Sequence, residues 1–181
     1  MIKLFKKIGS FVLDTIQTIV VALAIFVVVY LFLFQPNQVK GASMEPNFHD
    51  GEYILTDKVS YRFRNPKRGD VVVFKSPKNP EIDYIKRVIA LPGERVRISG
   101  GFVFVNNEKL NERYLPSTTL VFPGAFLSEG KEVKIPGDSY FLLGDNRNHS
   151  SDSREWGTIV KVDFIGRAFF RYWPAEKFGF L

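Results

Sequence analysis

The sequence predicts a mostly β domain carried behind one N-terminal transmembrane helix. Three observations predict it. Residues 19 to 34, IVVALAIFVVVYLFLF, form a continuous apolar run, and the helix it implies extends back to Phe11. Beyond that run the apolar residues fall into short pieces rich in β-branched and aromatic side chains. Among those pieces, helical i, i+3, i+4 spacing is scarce.

As a helix, residues 11 to 34 are about 36 Å long, enough to cross a hydrocarbon core of about 30 Å with some tilt. Lys3, Lys6 and Lys7 precede the run. The positive-inside rule then places residues 1 to 10 in the cytoplasm and residues 35 to 181 outside. A cleavable signal peptide is the alternative, but its apolar region spans only about 7 to 15 residues with small residues at a cleavage site close behind. The stretch QPNQVKGAS lacks that pattern, so the run reads as an uncleaved anchor. Pro36, which has no N–H to donate, is expected to end the helix.

The expected strands follow as EYILT (52 to 56), DVVVF (70 to 74), DYIKRVIAL (83 to 91), ERVRIS (94 to 99), FVFV (102 to 105), SYFLL (139 to 143) and DFIGRAFFRYW (163 to 173). Gly100-Gly101 and Asn106-Asn107 stand where tight hairpin turns need positive φ. Residues 111 to 132, with Pro116, Pro123, Gly124 and Gly130, read as an insertion or long loop. The aromatic-rich end, FFRYWPAEKFGF (169 to 180), is expected to be mostly core strand, the alternative being rings in a lipid headgroup layer.

Composition excludes several chemistries. A chain of 181 residues with 45% hydrophobic content is sized for one ordinary domain plus an appendage. It has no cysteine, hence no disulfide, thiol nucleophile or thiolate metal site, and only His49 and His149 as imidazole ligands. No metal and no cofactor are expected. A net charge of +6 and a pI near 9.5 suit an anionic partner. No nucleic-acid-binding motif is visible, so anionic membrane lipid is the simpler partner.

Three stretches hold the candidate chemistry. In GASMEP (41 to 46), Ser43 reads as a nucleophile, a cap or a turn residue. Strand alternation puts Lys86 on one face with Tyr84 and Val88; it either snorkels to water or is buried with a lowered pKa and able to take a proton. The stretch GDNRNHSSDSREWG (144 to 157) is not a calcium loop, since Arg147, Ser150 and Trp156 occupy positions where an EF-hand needs an oxygen ligand, glycine and glutamate. Taken alone it reads equally as a solvated turn.

In this order, GASMEP with Phe48, GDVVVF (69 to 74), DYIKRVIALPGE (83 to 94), and GDNRNHSSDSREWG with GRA (166 to 168) resemble the conserved blocks of the bacterial type I signal peptidases, in their short single-span form. The resemblance implies an antiparallel β-sheet peptidase domain that removes signal peptides from exported preproteins. It implies Ser43 as nucleophile, Lys86 as general base, and Ser150 as the hydroxyl that orients the lysine. Asp145, Arg147, Asp152 and Arg154 match positions that brace the site. Val39, Met44, Phe48, Tyr84 and Ile85 match positions lining shallow apolar pockets suited to an A-x-A cleavage site. The chain departs from part of the family at Gly41, where some members supply a serine hydroxyl to the oxyanion. The expectation here is that the missing Cβ lets a water or a main-chain N–H approach instead.

Other readings compete. A non-catalytic tethered module would not need Ser43, Lys86 and Ser150 together. A self-cleaving repressor would carry a DNA-binding half rather than an apolar span. A Ser-His-Asp arrangement would use His149 with Asp145 or Asp152.

Overall fold

The computed structural model describes the backbone of residues 2–181 and the side chains of all of these except residues 2–6, 10 and 31. Met1 and the side chains of Lys3 and Lys6 thus lie outside the described residues. The first helix, α1, spans Ile2–Leu33 and so begins well before the apolar run. Its segment Lys7–Tyr30 is long and apolar enough to cross a membrane, and none of it is buried against the rest of the protein.

In chain order there follow β1 (Phe34–Gln38), β2 (Tyr53–Asp57), the single turn α2 (Ser60–Phe63), β3 (Val71–Lys75), β4 (Asp83–Ala90), β5 (Arg95–Ser99), β6 (Phe102–Val105) and β7 (Glu108–Lys109). After a long connection come β8 (Glu132–Lys134), β9 (Ser139–Leu143), the single turn α3 (Ser153–Trp156), β10 (Ile159–Val160), β11 (Phe164–Trp173) and β12 (Gly179–Phe180). One sheet runs β1-β2-β11-β3-β4-β9-β10 with β12 paired to β11; a second runs β7-β6-β5-β8. Every pairing is antiparallel.

Pro36 does not end the helix. The helix stops at Leu33, and Pro36 lies inside β1, opposite Leu55 of β2. A proline is tolerated there because β1 is an edge strand, with one side of its backbone free of ladder bonds. Helix and strand join without a linker: the Lys58 N–H donates to the Leu33 carbonyl at 3.0 Å, and the Phe34 ring lies 5.1 Å from that of Phe169.

The two expected hairpins form. Ser99 pairs with Phe102 across Gly100-Gly101, and Val105 with Glu108 across Asn106-Asn107, all four turn residues having positive φ. Strand β9 is buried along its whole length and β3 along all but its last residue, as expected for strands paired on both sides and covered on both faces. One apolar cluster joins Ile89, Phe141 and Leu143 to Val96, Ile98, Val103 and Val105 and so glues the two sheets together. A second, with Met44, Phe48, Ile54, Val71, Val73 and Ala168, lies under the segment between β1 and β2. Between β7 and β8 residues 110–131 carry no helix or strand, yet Val121 and Leu127 are buried in the first cluster.

Candidate active site

The segment between β1 and β2 is tied at its base, where Val39 N–H donates to Glu52 O at 2.8 Å and Gly51 N–H to Val39 O at 2.9 Å. Within it Glu45 N–H reaches Ala42 O and Phe48 N–H reaches Met44 O, at 3.2 and 2.9 Å. This coiled turn puts Met44 and Phe48 on the inner side. They are 0% and 2% exposed and belong to the second apolar cluster rather than to a cleft wall. Ser43 is left half-buried at the surface of the turn, over an anchor of two large apolar side chains.

Strand β4 brings Lys86 to the same place. Its side chain is buried, and Nζ lies 2.8 Å from Ser43 Oγ and 2.9 Å from Ile85 O. Burial removes hydration from the ammonium and lowers the Lys86 pKa to about 8, against the opposing pull of the Asp152 and Asp145 carboxylates. A hydroxyl and an amine of lowered basicity therefore share one hydrogen bond. They open onto a cleft of about 320 Å³, whose walls include Val39, Ile54, Tyr84 and Ile85.

Behind this pair lies a buried lattice of charges. Asp145, whose carboxylate is wholly buried, accepts from Arg87 Nε and Nη2 at 2.8 and 2.6 Å and from Asn47 Nδ2 at 2.8 Å. Asp152 accepts from Arg154 at 2.7 and 2.8 Å and from the Gly144 N–H at 3.1 Å. Arg154 in turn donates to the carbonyls of Arg147 and Ser150, and Arg147 pairs with Glu112 and donates to Gly144 O. Residues 144 to 154 are thus held by two buried guanidinium groups, each with carboxylate and carbonyl partners, which meets the cost of burying them.

Ser150 stands apart from Lys86. Its Oγ is buried and has no hydrogen-bond partner among the described residues, while Lys86 bonds to Ser43 and Ile85. At Gly41 the space is open: a Cβ there would meet nothing within 4 Å. Its φ of +79° is what calls for glycine, and its N–H donates to Asp50 Oδ1 at 2.7 Å.

Neither histidine approaches Ser43. His49 Nδ1 contacts Glu52 and Lys177, and His149 is exposed, its N–H turned to Asn146. Sequence reasoning missed Arg87, Asn47 and Gly144. A Cβ on Gly144 would overlap Ser150 Oγ and Ser43 O, so only glycine lets the two site segments touch. Among the described residues no cluster of His, Cys, Asp and Glu is arranged to hold a metal.

An antiparallel β frame that buries an amine against a serine hydroxyl, both lining one cleft, is the kind of arrangement found among hydrolases, and the class to which this chain belongs is the proteases. The chain belongs to one family of that class, the signal peptidase family, peptidase S26, whose model matches residues 12–173. It is 39% identical over 170 residues to a probable signal peptidase I-2 of Synechocystis, covering 91% of this chain and 75% of that one. It is 36% identical over 178 residues to signal peptidase IB of Staphylococcus aureus, covering 92% of each. A crystal structure of a signal peptidase I from Enterococcus faecalis aligns over 57% of this chain and 97% of its own, at 27% identity and a TM-score of 0.46.

Proposed function

We propose that this chain is a membrane-anchored endopeptidase that removes signal peptides from exported preproteins after small residues of A-x-A type, using Ser43 and Lys86 as a catalytic dyad. The observation that carries this reading is the 2.8 Å contact between Lys86 Nζ and Ser43 Oγ in a buried setting.

The neutral amine of Lys86 accepts the Ser43 hydroxyl proton as Oγ attacks the scissile carbonyl carbon. The carbonyl oxygen gains the negative charge, and the Ser43 N–H donates to it. The Lys86 ammonium then returns its proton to the leaving amine, and the C–N bond breaks to give an acyl-enzyme. Water attacks the ester with Lys86 again as base, releasing the signal peptide and restoring both groups. Ser150 remains the proposed orienting hydroxyl, its buried Oγ being unpaired and therefore free to engage Lys86 when substrate is bound. Asp145, Arg147, Asp152 and Arg154 hold the loop that flanks the dyad.

Val39, Tyr84 and Ile85 in the cleft wall support a preference for small apolar side chains, while Met44 and Phe48 lie in the apolar cluster beneath the nucleophile turn and act on those pockets only by packing under it. Residues 11–34 are the anchor, 1–10 the cytoplasmic end and 35–181 the outer domain, which puts the site on the side where exported chains emerge. Exported preproteins and membrane lipids are the partners; nucleic acid is not.

The test is processing of a preprotein whose signal ends in A-x-A by the detergent-solubilised chain. Ser43→Ala and Lys86→Ala should each abolish it, since the pair acts as one unit. The His49→Ala, His149→Ala double variant should keep most of it. Lys86→Arg should fail, because a guanidinium does not deprotonate in the accessible pH range. An active Lys86→Arg protein would rule out the dyad.

A further inference from the structure

The geometry points to Asn146 as the positioning residue that aims the Ser43 N–H at the developing oxyanion, an inference that rests on the nucleophile reading of Ser43 given above. Asn146 reaches across 104 positions of sequence to grip the nucleophile turn twice. Its side-chain Nδ2 donates to Ala42 O at 3.0 Å, and its backbone N–H donates to Ser43 O at 3.1 Å.

The first of these carbonyls, which also accepts from the Glu45 N–H at 3.2 Å, belongs to the peptide group that carries the Ser43 N–H, and the second belongs to the next one. Ala42 C=O and Ser43 N–H belong to one planar unit, trans in this chain, so the carbonyl and the N–H point in opposite directions from it. Fixing the carbonyl therefore fixes the line along which the N–H donates. The second grip, on Ser43 O, fixes the next peptide plane and with it the rotation about the Ser43 backbone. Ser43 N–H itself makes no hydrogen bond to the described residues and is available to a substrate oxygen.

Other groups near the turn are committed elsewhere. Gly41 N–H, the neighbouring main-chain donor, is held by Asp50 Oδ1 at 2.7 Å. With that donor engaged, the direction of the Ser43 N–H matters more. Asn146 is itself held in place, because its Oδ1 accepts from the His149 N–H at 3.2 Å. That bond orients the amide so that Nδ2, not Oδ1, faces Ala42. Gly144, two residues earlier, leaves room for the segment to lie against Ser43 O, where any Cβ would overlap. The loop from 144 to 150 thus holds the peptide that carries the oxyanion donor.

An oxyanion donor is worth about 10²- to 10³-fold in rate. Misaiming it should cost at least about 10-fold in kcat while leaving ground-state binding alone. Two variants of the full detergent-solubilised chain test this on a preprotein substrate, Asn146→Ala and Asn146→Asp, beside Ser43→Ala. The aspartate keeps the size and the acceptor for His149 N–H, and turns the donor into a charged acceptor facing Ala42 O, so it guards against a variant that fails through lost volume while opposing the grip more strongly than alanine does. Rates are compared on the alkaline plateau, where the charge state of Lys86 is the same in every protein.

The expected result is a fall in kcat of at least about 10-fold for Asn146→Ala, and as large or larger for Asn146→Asp. KM should stay within about 3-fold, and the pH midpoint of Asn146→Ala should be unmoved. A kcat within about 3-fold of the intact chain in both variants, or a loss expressed mainly in KM, would overturn the inference while leaving the dyad intact. A Ser43→Ala protein as active as the intact chain would instead remove the nucleophile reading, and this inference with it.

Discussion

Replacing Lys86 by methionine should change how stability depends on pH, and the size of that change follows from the site. The Lys86 pKa falls from an ordinary 10.5 to about 8 on folding, chiefly because its ammonium loses hydration. One pKa unit corresponds to about 1.4 kcal/mol, so the full linkage is about 3 kcal/mol. Since the folded-state value is the lower one, the unfolded chain holds more protons at this site between pH 8 and 10.5. Stability therefore rises with pH across that window, and below pH 8 the buried ammonium destabilises the fold by the full amount. Methionine, of similar length and uncharged, removes this dependence. Urea unfolding of both proteins in mild detergent at pH 7 and at pH 11 gives two stability differences. Every other titrating group cancels between the two proteins. The methionine variant should gain about 3 kcal/mol relative to the intact chain on going from pH 11 to pH 7. A difference that stays constant over that range would refute the claim that Lys86 is buried as an amine of lowered basicity.

The same lowered pKa implies that cleavage rises with pH through a midpoint near 8, with about one molecule in ten holding the neutral amine at pH 7; a chemistry-limited profile flat from pH 6 to 10 would contradict it. Arg154→Ala leaves the buried Asp152 carboxylate without its guanidinium and should cost about 3 to 5 kcal/mol, read as a large fall in thermal midpoint by circular dichroism. At Gly41, where φ is +79°, any L side chain is strained by about 1 to 2 kcal/mol even though space is open. Gly41→Asn should therefore retain more turnover of a preprotein than Gly41→Val, and equal activity of the valine variant and the intact chain would show that the left-handed turn is dispensable.

Strands with strong local signals were legible in the sequence. SYFLL, FVFV and DVVVF appear within one residue of their expected bounds because their side chains both prefer extended backbone and fill the core. FQPNQ was not legible as a strand, being polar and proline-containing; it is one only because β2 lies alongside it. The pieces β8, β10 and β12 are two or three residues long and carry no periodicity to detect. In the site, Ser43 and Lys86 stood out through a family pattern rather than through local chemistry. Asn47 and Arg87 did not stand out. Asn47 takes its partners from residues 114 and 145, and Arg87 from residues 69 and 145, and local sequence says nothing about such distant encounters. Asp145 and Asp152 looked like loop residues because an Asp in a solvated turn and an Asp neutralised by a buried arginine are spelled alike.

The seamless join of α1 to β1 turns the domain into a ruler. Helix ends at Leu33, strand begins at Phe34, and the junction is pinned by Lys58 and Phe169. Five strand residues at about 3.4 Å each carry the chain only about 17 Å from the helix end before the turn that bears Ser43. In the anchored reading proposed above, the scissile bond is therefore met at a set height above the lipid, with no slack by which the domain can reach for a target further out. On that reading, peptide bonds deep in the folded body of an exported protein would lie beyond that height, whatever their side chains, and the mature chain would be spared by geometry even where small residues recur in it.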